Sequence, residues 1–379
     1  MKRNDIGGVL IIFMVILPGF SAFSQPAQAN TVLKAADYPF IAEWVKAGVE
    51  GGVPDTRRMK VIATVKPGDD LEQAIDRAAK KGRGIVLLAT GEHILRKTVR
   101  IPGGMVLRGA DRQKVLLSVK IHGYHFKTGK PRMTALLVRN ARGTGIENLT
   151  IKYTDASFEP LDKDSMNTAW DKRVFHEKEL RDTTLFVEHI WIDSSTNCWV
   201  RNCDLLWAGS DPLRITNSSH VSCSGNFIDR SYNKNDGGMG YYNIIHSHHV
   251  LVYNERIRRI RHFAIQNNSK YNVVIKNYLE VDINFHNDDD GYNLIESNTI
   301  RIPNWHSWHC FMRGAPNQHK VPGKMNILFN NDAIDKSGIK EAPEPGKVYV
   351  INPVWEGGRI LTTDLPSPAG NTFYPVKIR

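Results

Sequence analysis

Three runs in the second half of the chain carry imidazoles, an acid and a guanidinium at matching places. They are Arg261-His262-Phe263-Ala264-Ile265-Gln266-Asn267, Val281-Asp282-Ile283-Asn284-Phe285-His286-Asn287 and Trp308-His309-Cys310-Phe311-Met312-Arg313-Gly314. Phe263 and Ile265, Ile283 and Phe285, and Cys310 and Met312 share one phase, and alternation at period two is a strand with one buried face. The other phase sets His262, Asp282 and His309 at one level and Gln266, His286 and Arg313 at another. An imidazole beside a carboxylate can take or give a proton, and a guanidinium can hold an anion. A packed core has no use for such a set. The runs therefore read as neighbouring parallel strands whose polar face is the working ribbon.

A repeat supports that stacking. Apolar residue, asparagine and a further residue recur around Asn148, Asn202, Asn226, Asn254, Asn277, Asn298 and Asn331, and from Asn202 onward the spacings are 24, 28, 23, 21 and 33 residues. A nearly constant period with variable insertions marks a solenoid whose turns carry loops of different length. Asparagine suits its corners because the side chain bonds local backbone and tolerates positive φ. Ahead of the repeat, an irregular leader holds one short helix around 40–47. An amphipathic helix over 71–81 follows, with Leu71, Ile75, Ala78 and Ala79 on one face. A charged stretch at 152–182 breaks the rhythm as an insertion, and the proline-rich segment 336–379 reads as a cap and wrapping arm of the domain at 30–335.

The first 29 residues read as a secretory signal peptide: Lys2 and Arg3, an apolar run from Val9 to Leu17, then Ala27-Gln28-Ala29 before Asn30. The run is too short to span a bilayer, so the expectation is a secreted or periplasmic protein with no membrane insertion after cleavage. The chain carries a formal charge of +11, and +10 once Lys2, Arg3 and Asp5 are removed with that segment. A basic exported protein suits a polyanion, and export disfavours nucleic acid, leaving an anionic polysaccharide or oligosaccharide. Cys198, Cys203, Cys223 and Cys310 are too scattered for a disulfide framework and read as buried thiols, with a bridge among the first three left open.

The segment from Leu71 through Ile85-Val86-Leu87-Leu88 to Ile101-Pro102-Gly103-Gly104, together with the asparagine series, resembles the secreted right-handed parallel β-helix proteins of the pectate lyase superfamily. The resemblance implies an all-β fold with an N-terminal capping helix, a monomer, and sugar bound along one ribbon walled by the longer turns. On that ribbon it implies Arg214, Asp211, Gln266, Asn284 and Arg261 as sugar contacts, with Tyr232, Trp305 and Trp308 stacking on rings from the walls. For a uronate polymer the accessible reaction is β-elimination, which needs a base for the proton α to the carboxyl and a cation against the carboxylate. His286 is the expected base and Arg313 the clamp, with His262, His309 and Asp282 beside them, although members of the superfamily also use arginine as base.

Two alternatives stay open. A glycoside hydrolase needs two carboxyls about 5–9.5 Å apart, which Asp282 with Asp211, Asp236 or an acid at 288–290 could supply. A non-catalytic carbohydrate-binding β-helix needs only aromatic residues along the ribbon. Asp288, Asp289 and Asp290 form an acidic turn that could take Ca2+, although their spacing is not that of an EF-hand. His246, His248 and His249 cluster, but a metal site would need three ligands at fixed geometry, which sequence spacing does not supply. The basic strand at 256–261 is either an exposed face or a lure for a polyanion.

Overall fold

The computed structural model describes residues 39–122, 133–155, 186–234, 239–304, 306, 308–315, 317–341, 344–356, 359–365 and 372–374. The expected signal segment, nearly all of the 152–182 insertion, Trp305 and Asp236 lie outside the described residues. Among the described residues no helix is long and apolar enough to cross a membrane.

The chain winds as a right-handed parallel β-helix, the hand that parallel crossovers impose. Each turn visits three sheets of twelve, eight and ten strands, and neighbouring strands within a sheet belong to successive turns. The core is built of rows, one residue per turn. In the twelve-stranded sheet Ile146, Val200, Cys223, Val252, Val274, Ile295 and Leu328 stack in register. In the eight-stranded sheet Leu213, Tyr242, Phe263, Ile283 and Phe311 do the same. All of these rows belong to one buried apolar cluster. Each strand turns one face into this core and the other away from it, so a three-residue strand still fixes its register.

The asparagine repeat divides into two adjacent positions with different work. Asn148, Asn202, Gly225, Asn254, Lys276, Ser297 and Asn330 occupy the corner itself, all at φ between 52° and 64°. The next residue inward forms a buried ladder. The Oδ1 atoms of Asn277, Asn298 and Asn331 accept the backbone N–H of Glu255, Asn277 and Asn298 respectively, at 2.8–3.0 Å. The asparagines of the repeat thus belong to two series, corner and ladder, because both positions favour the same residue for different reasons.

The ends are closed. The helix Leu71–Ala79 buries Leu71, Ala74, Ile75 and Ala78 over the first turn, with Asp70 accepting from the Gln73 N–H as its N-cap. At the other end Val348–Glu356 and Arg359–Leu365 extend the long sheet antiparallel. The leader is more ordered than its sequence suggests. Its helix Ile41–Trp44 buries Trp44 completely against Val273, Leu294 and Phe373 on the outer face of that sheet. All four cysteines are buried and free, so no bridge joins Cys198, Cys203 and Cys223.

Candidate active site

The eight-stranded sheet carries the polar ribbon. Its inward rows are apolar, so the intervening residues turn outward: Tyr241 beside His262, Arg214 beside Asn243, Ala264 and Asn284, and Gln266 beside His286. Asp282 lies next to His262 through the bond from the Phe263 N–H to its carbonyl. Sequence periodicity and structure agree on these two turns.

The third run is shifted. Phe311 stands opposite Ile283, Met312 opposite Asn284 and Arg313 opposite Phe285, so Cys310, not His309, is level with Asp282, and Arg313 is not level with His286. The strand Phe311–Arg313 has only three residues, and Cys310, Phe311 and Met312 are all apolar. Alternation therefore could not choose the phase, and a one-residue slip changes the face. His309 turns away from the ribbon toward Glu341, with Nδ1 2.9 Å from Oε1.

Asp282 is the organising acid. Its oxygens lie 2.9 Å from His262 Nδ1, it accepts from Asn284 Nδ2 at 3.0 Å, and His306 Nε2 lies 3.3 Å away. His306 Nε2 also reaches the Arg261 carbonyl at 3.1 Å. Asp282, His306 and His262 are 0%, 1% and 2% exposed. Burial opposes ionisation of Asp282, but His262 and His306 outweigh it and hold the carboxyl below its usual range. Burial holds His262 down to about 4, with Asp282 opposing and Arg261 and His306 assisting. Near neutrality the pair is thus carboxylate and neutral imidazole. The carboxylate accepts the hydrogen bond of Nδ1–H, so Nε2, on the far side of the ring, carries the lone pair.

A second chain of bonds sets His286. Asp211 Oδ2 accepts from Asn243 Nδ2 at 3.2 Å, Asn243 Oδ1 accepts from Gln266 Nε2 at 2.6 Å, and Gln266 Oε1 lies 3.2 Å from His286 Nδ1. An amide oxygen only accepts, so His286 also carries its proton on Nδ1. Burial, His262, His319 and Arg261 depress it to about 2, which makes it a weaker base than His262. The two rings lie 6.1 Å apart, with Tyr241 edge-on to both at 4.9 and 5.7 Å.

Cationic and aromatic groups border these bases. The Arg261 guanidinium lies 5.6 Å from the Tyr241 ring and 5.8 Å from the Trp308 ring, and Trp308 is edge-on to His262 at 4.5 Å. Arg214 bonds Asp211 at 3.4 Å, with Glu188 3.8 Å away. Burial lowers the Arg313 pKa. Tyr232 does not face the ribbon and packs on Trp207 at 5.4 Å. Within the basic strand, Arg258 and Arg259 turn to Asp229 and Arg256 to Glu280, leaving Arg261 to the ribbon.

The three acids of the turn at 288–290 make separate contacts. Asp288 pairs with Lys320 and Asp290 with Lys270, while Asp289 is buried and accepts from Asn293 and Asn326. His248 and His249 face one another through their Nδ1 atoms, and His249 Nε2 lies 3.0 Å from Glu43, a contact between turn and leader.

The sequence does not single out His306, Trp191 or His319, and it places the stretch 240–245, with Tyr241 and Asn243, on the ribbon only to within one residue of register. Tyr241 and Asn243 sit in alternation with core residues and were within reach of a period-two reading. His306 and His319 come from connections, where no periodicity marks a facing. Trp191 neighbours Arg214 in register and lies under the Arg139 and Arg214 guanidinia at 4.7 and 5.8 Å.

The histidine pKa values predict the acid stability of the fold. Below about 6.5 the unfolded chain protonates His262, whereas the folded chain refuses that proton until about 4. This contribution is therefore complete above 6.5 and is lost as pH falls toward 4. The denaturant midpoint should drop across that window, and His262→Gln should flatten the drop. An unchanged slope in the variant would refute the assignment.

No protein-family model matches the chain, and no curated protein matches it. Solved structures with a similar course include the A-module of a mannuronan C-5 epimerase from Azotobacter vinelandii, 11% identical over 70% of this chain and 65% of the module, with a TM-score of 0.44. This chain thus spans slightly less than two thirds of that module. The endo-xylogalacturonan hydrolase of Aspergillus tubingensis is 14% identical over 71% of this chain and 82% of its own, with a TM-score of 0.46. The major cedar pollen allergen jun a 1 is 12% identical over 86% and 90%, with a TM-score of 0.42.

Proposed function

We propose that the ribbon binds an anionic, uronate-containing polysaccharide and cleaves it by β-elimination. The observation that carries this reading is the buried Asp282–His262 pair, whose imidazole stands edge-on to the Trp308 ring that the Arg261 guanidinium also borders. In this reading Trp308 stacks on a sugar ring and Arg261 neutralises the uronate carboxylate, which lowers the pKa of the adjacent carbon acid. His262 Nε2 removes the C5 proton. The electron pair forms the C4–C5 double bond and expels the glycosidic oxygen from C4. Tyr241, edge-on to both imidazoles, is the donor to that oxygen. His262 replaces His286 as the preferred base, because it has the oriented acid partner and the less depressed pKa.

The carboxylates favour elimination over hydrolysis. Asp282 is enclosed by His262, His306 and Asn284. Asp211 is enclosed by the Tyr241 N–H, Asn243 and Arg214. Both act as positioning groups, and neither offers the open oxygen that a paired-carboxylate hydrolase requires.

A panel of anionic polysaccharides tests the proposal. Growth of the ultraviolet absorbance of an unsaturated uronate is the expected result. New reducing ends without absorbance would replace elimination with hydrolysis, and binding without either product would make the ribbon a recognition surface alone.

A further inference from the structure

At the C-terminal end of the coil, three ligand-type side chains from three elements converge. His309 precedes the strand Phe311–Arg313, Asp335 follows Asp332–Ile334, and Glu341 ends the closing strand Lys340–Glu341. One ligand atom from each lies within 4.8 Å of the other two. His309 Nδ1 is 2.9 Å from Glu341 Oε1 and 3.5 Å from Asp335 Oδ2. Bonds of about 2.0–2.2 Å in a tetrahedral site separate ligand atoms by roughly 3.3–3.6 Å. The His309–Asp335 spacing matches that value, the His309–Glu341 spacing is shorter as befits a direct hydrogen bond, and the third lies within 4.8 Å, so one ion could bind all three atoms after shifts of the side chains.

The surroundings hold the carboxylates in place. Asp335 Oδ1 accepts from the Ser337 and Ile339 N–H groups at 2.8 and 2.9 Å. Glu341 Oε2 accepts from the Cys310 N–H at 3.0 Å. Backbone amides thus anchor one oxygen of each acid and leave the other directed at His309, the kind of outer support that orients metal ligands. The two acid side chains are 3% and 4% exposed and the imidazole 31%, so the carboxylates line the floor and His309 borders solvent.

We propose that His309 Nδ1, Asp335 Oδ2 and Glu341 Oε1 form a binding site for a divalent transition cation of the zinc class. Solvent would fill the fourth position, as in three-ligand sites. The ion would fasten the antiparallel closing strand to the last turn of the coil, where unpaired strand edges most need cover. It is separate from the ribbon and takes no part in the proposed elimination. A nitrogen donor with two carboxylates favours zinc over calcium, which prefers six to eight oxygens.

The test is calorimetric titration of the full, chelator-treated chain with Zn2+, beside thermal unfolding with and without the ion. One zinc per chain and a rise of several degrees in unfolding temperature are expected, since a ligand that binds only the folded state stabilises it. Glu341→Gln keeps the acceptor for Cys310 but removes the charge, and His309→Gln keeps the size of a side chain at the rim. Both should lose saturable binding with circular dichroism unchanged, while His248→Gln, in the separate histidine cluster, should keep it. Should Glu341→Gln fail to fold, His309→Gln at the rim decides alone. Absence of saturable binding, or binding that survives His309→Gln or disappears with His248→Gln, would overturn the site and leave the three side chains as an ion-paired clasp.

Discussion

Replacing Asp282 with asparagine is expected to lower kcat/KM on the susceptible polyanion by a factor of about 10²–10⁴, the range attributed to a positioned general base. The substitution changes almost no volume. It changes which atoms donate: the new amide can offer N–H to His262 Nδ1, which moves the ring proton to Nε2 and removes the lone pair from the substrate side. His262→Ala should fall as far, and the double variant little further, because the two residues act as one unit. His286→Ala should fall less, since burial and its cationic neighbours already depress that imidazole to about 2. The control readout is the unfolding temperature, which should show each variant folded under assay conditions. Activity within threefold of the parent for Asp282→Asn would refute the pair as the catalytic base. A loss confined to His286→Ala would restore the assignment made from periodicity.

A large stability effect is expected from Asn298→Ala, on the order of 3–5 kcal/mol. Asn298 Oδ1 accepts from the Asn277 N–H and Nδ2 at 3.0 and 2.9 Å, and its Nδ2 donates to the Val274 carbonyl and Asn331 Oδ1 at 2.9 and 3.0 Å. Truncation strands these groups in a site that is 1% exposed, and each buried orphan costs about 1–3 kcal/mol. The corner neighbour gives the contrast. Ser297 stands at φ 53°, a conformation in which glycine is unstrained, so Ser297→Gly should be neutral or slightly stabilising. Denaturant midpoints of the two variants check both claims. A loss below about 1 kcal/mol for Asn298→Ala would mean that water or a shifted backbone replaces the ladder.

The repeat made the coil legible because a solenoid writes its geometry into the chain once per turn. Phe263 and Ile283 face the core in register, as alternation required, and His262 with Asp282 followed on the opposite face. Legibility ended where the repeat did. The connection before Phe311 is longer and the strand shorter, so His309 and Arg313 were placed one residue out. The acids at 288–290 looked alike in sequence, yet Asp289 is buried in asparagine bonds while its neighbours pair with separate lysines.

By itself the sequence determined the β-helix, most of its core rows and the ribbon that carries imidazole and acid, because period-two alternation and a recurring corner residue are local properties. Only the tertiary structure decided which of those groups work together. His306 reaches Asp282 from a distant connection, Gln266 fixes the tautomer of His286 across turns, and Asp335 and Glu341 meet His309 at the closed end. Hydrogen bonds and pKa shifts depend on atoms within a few ångströms in space. Residues dozens of positions apart become such neighbours only when the coil brings them together.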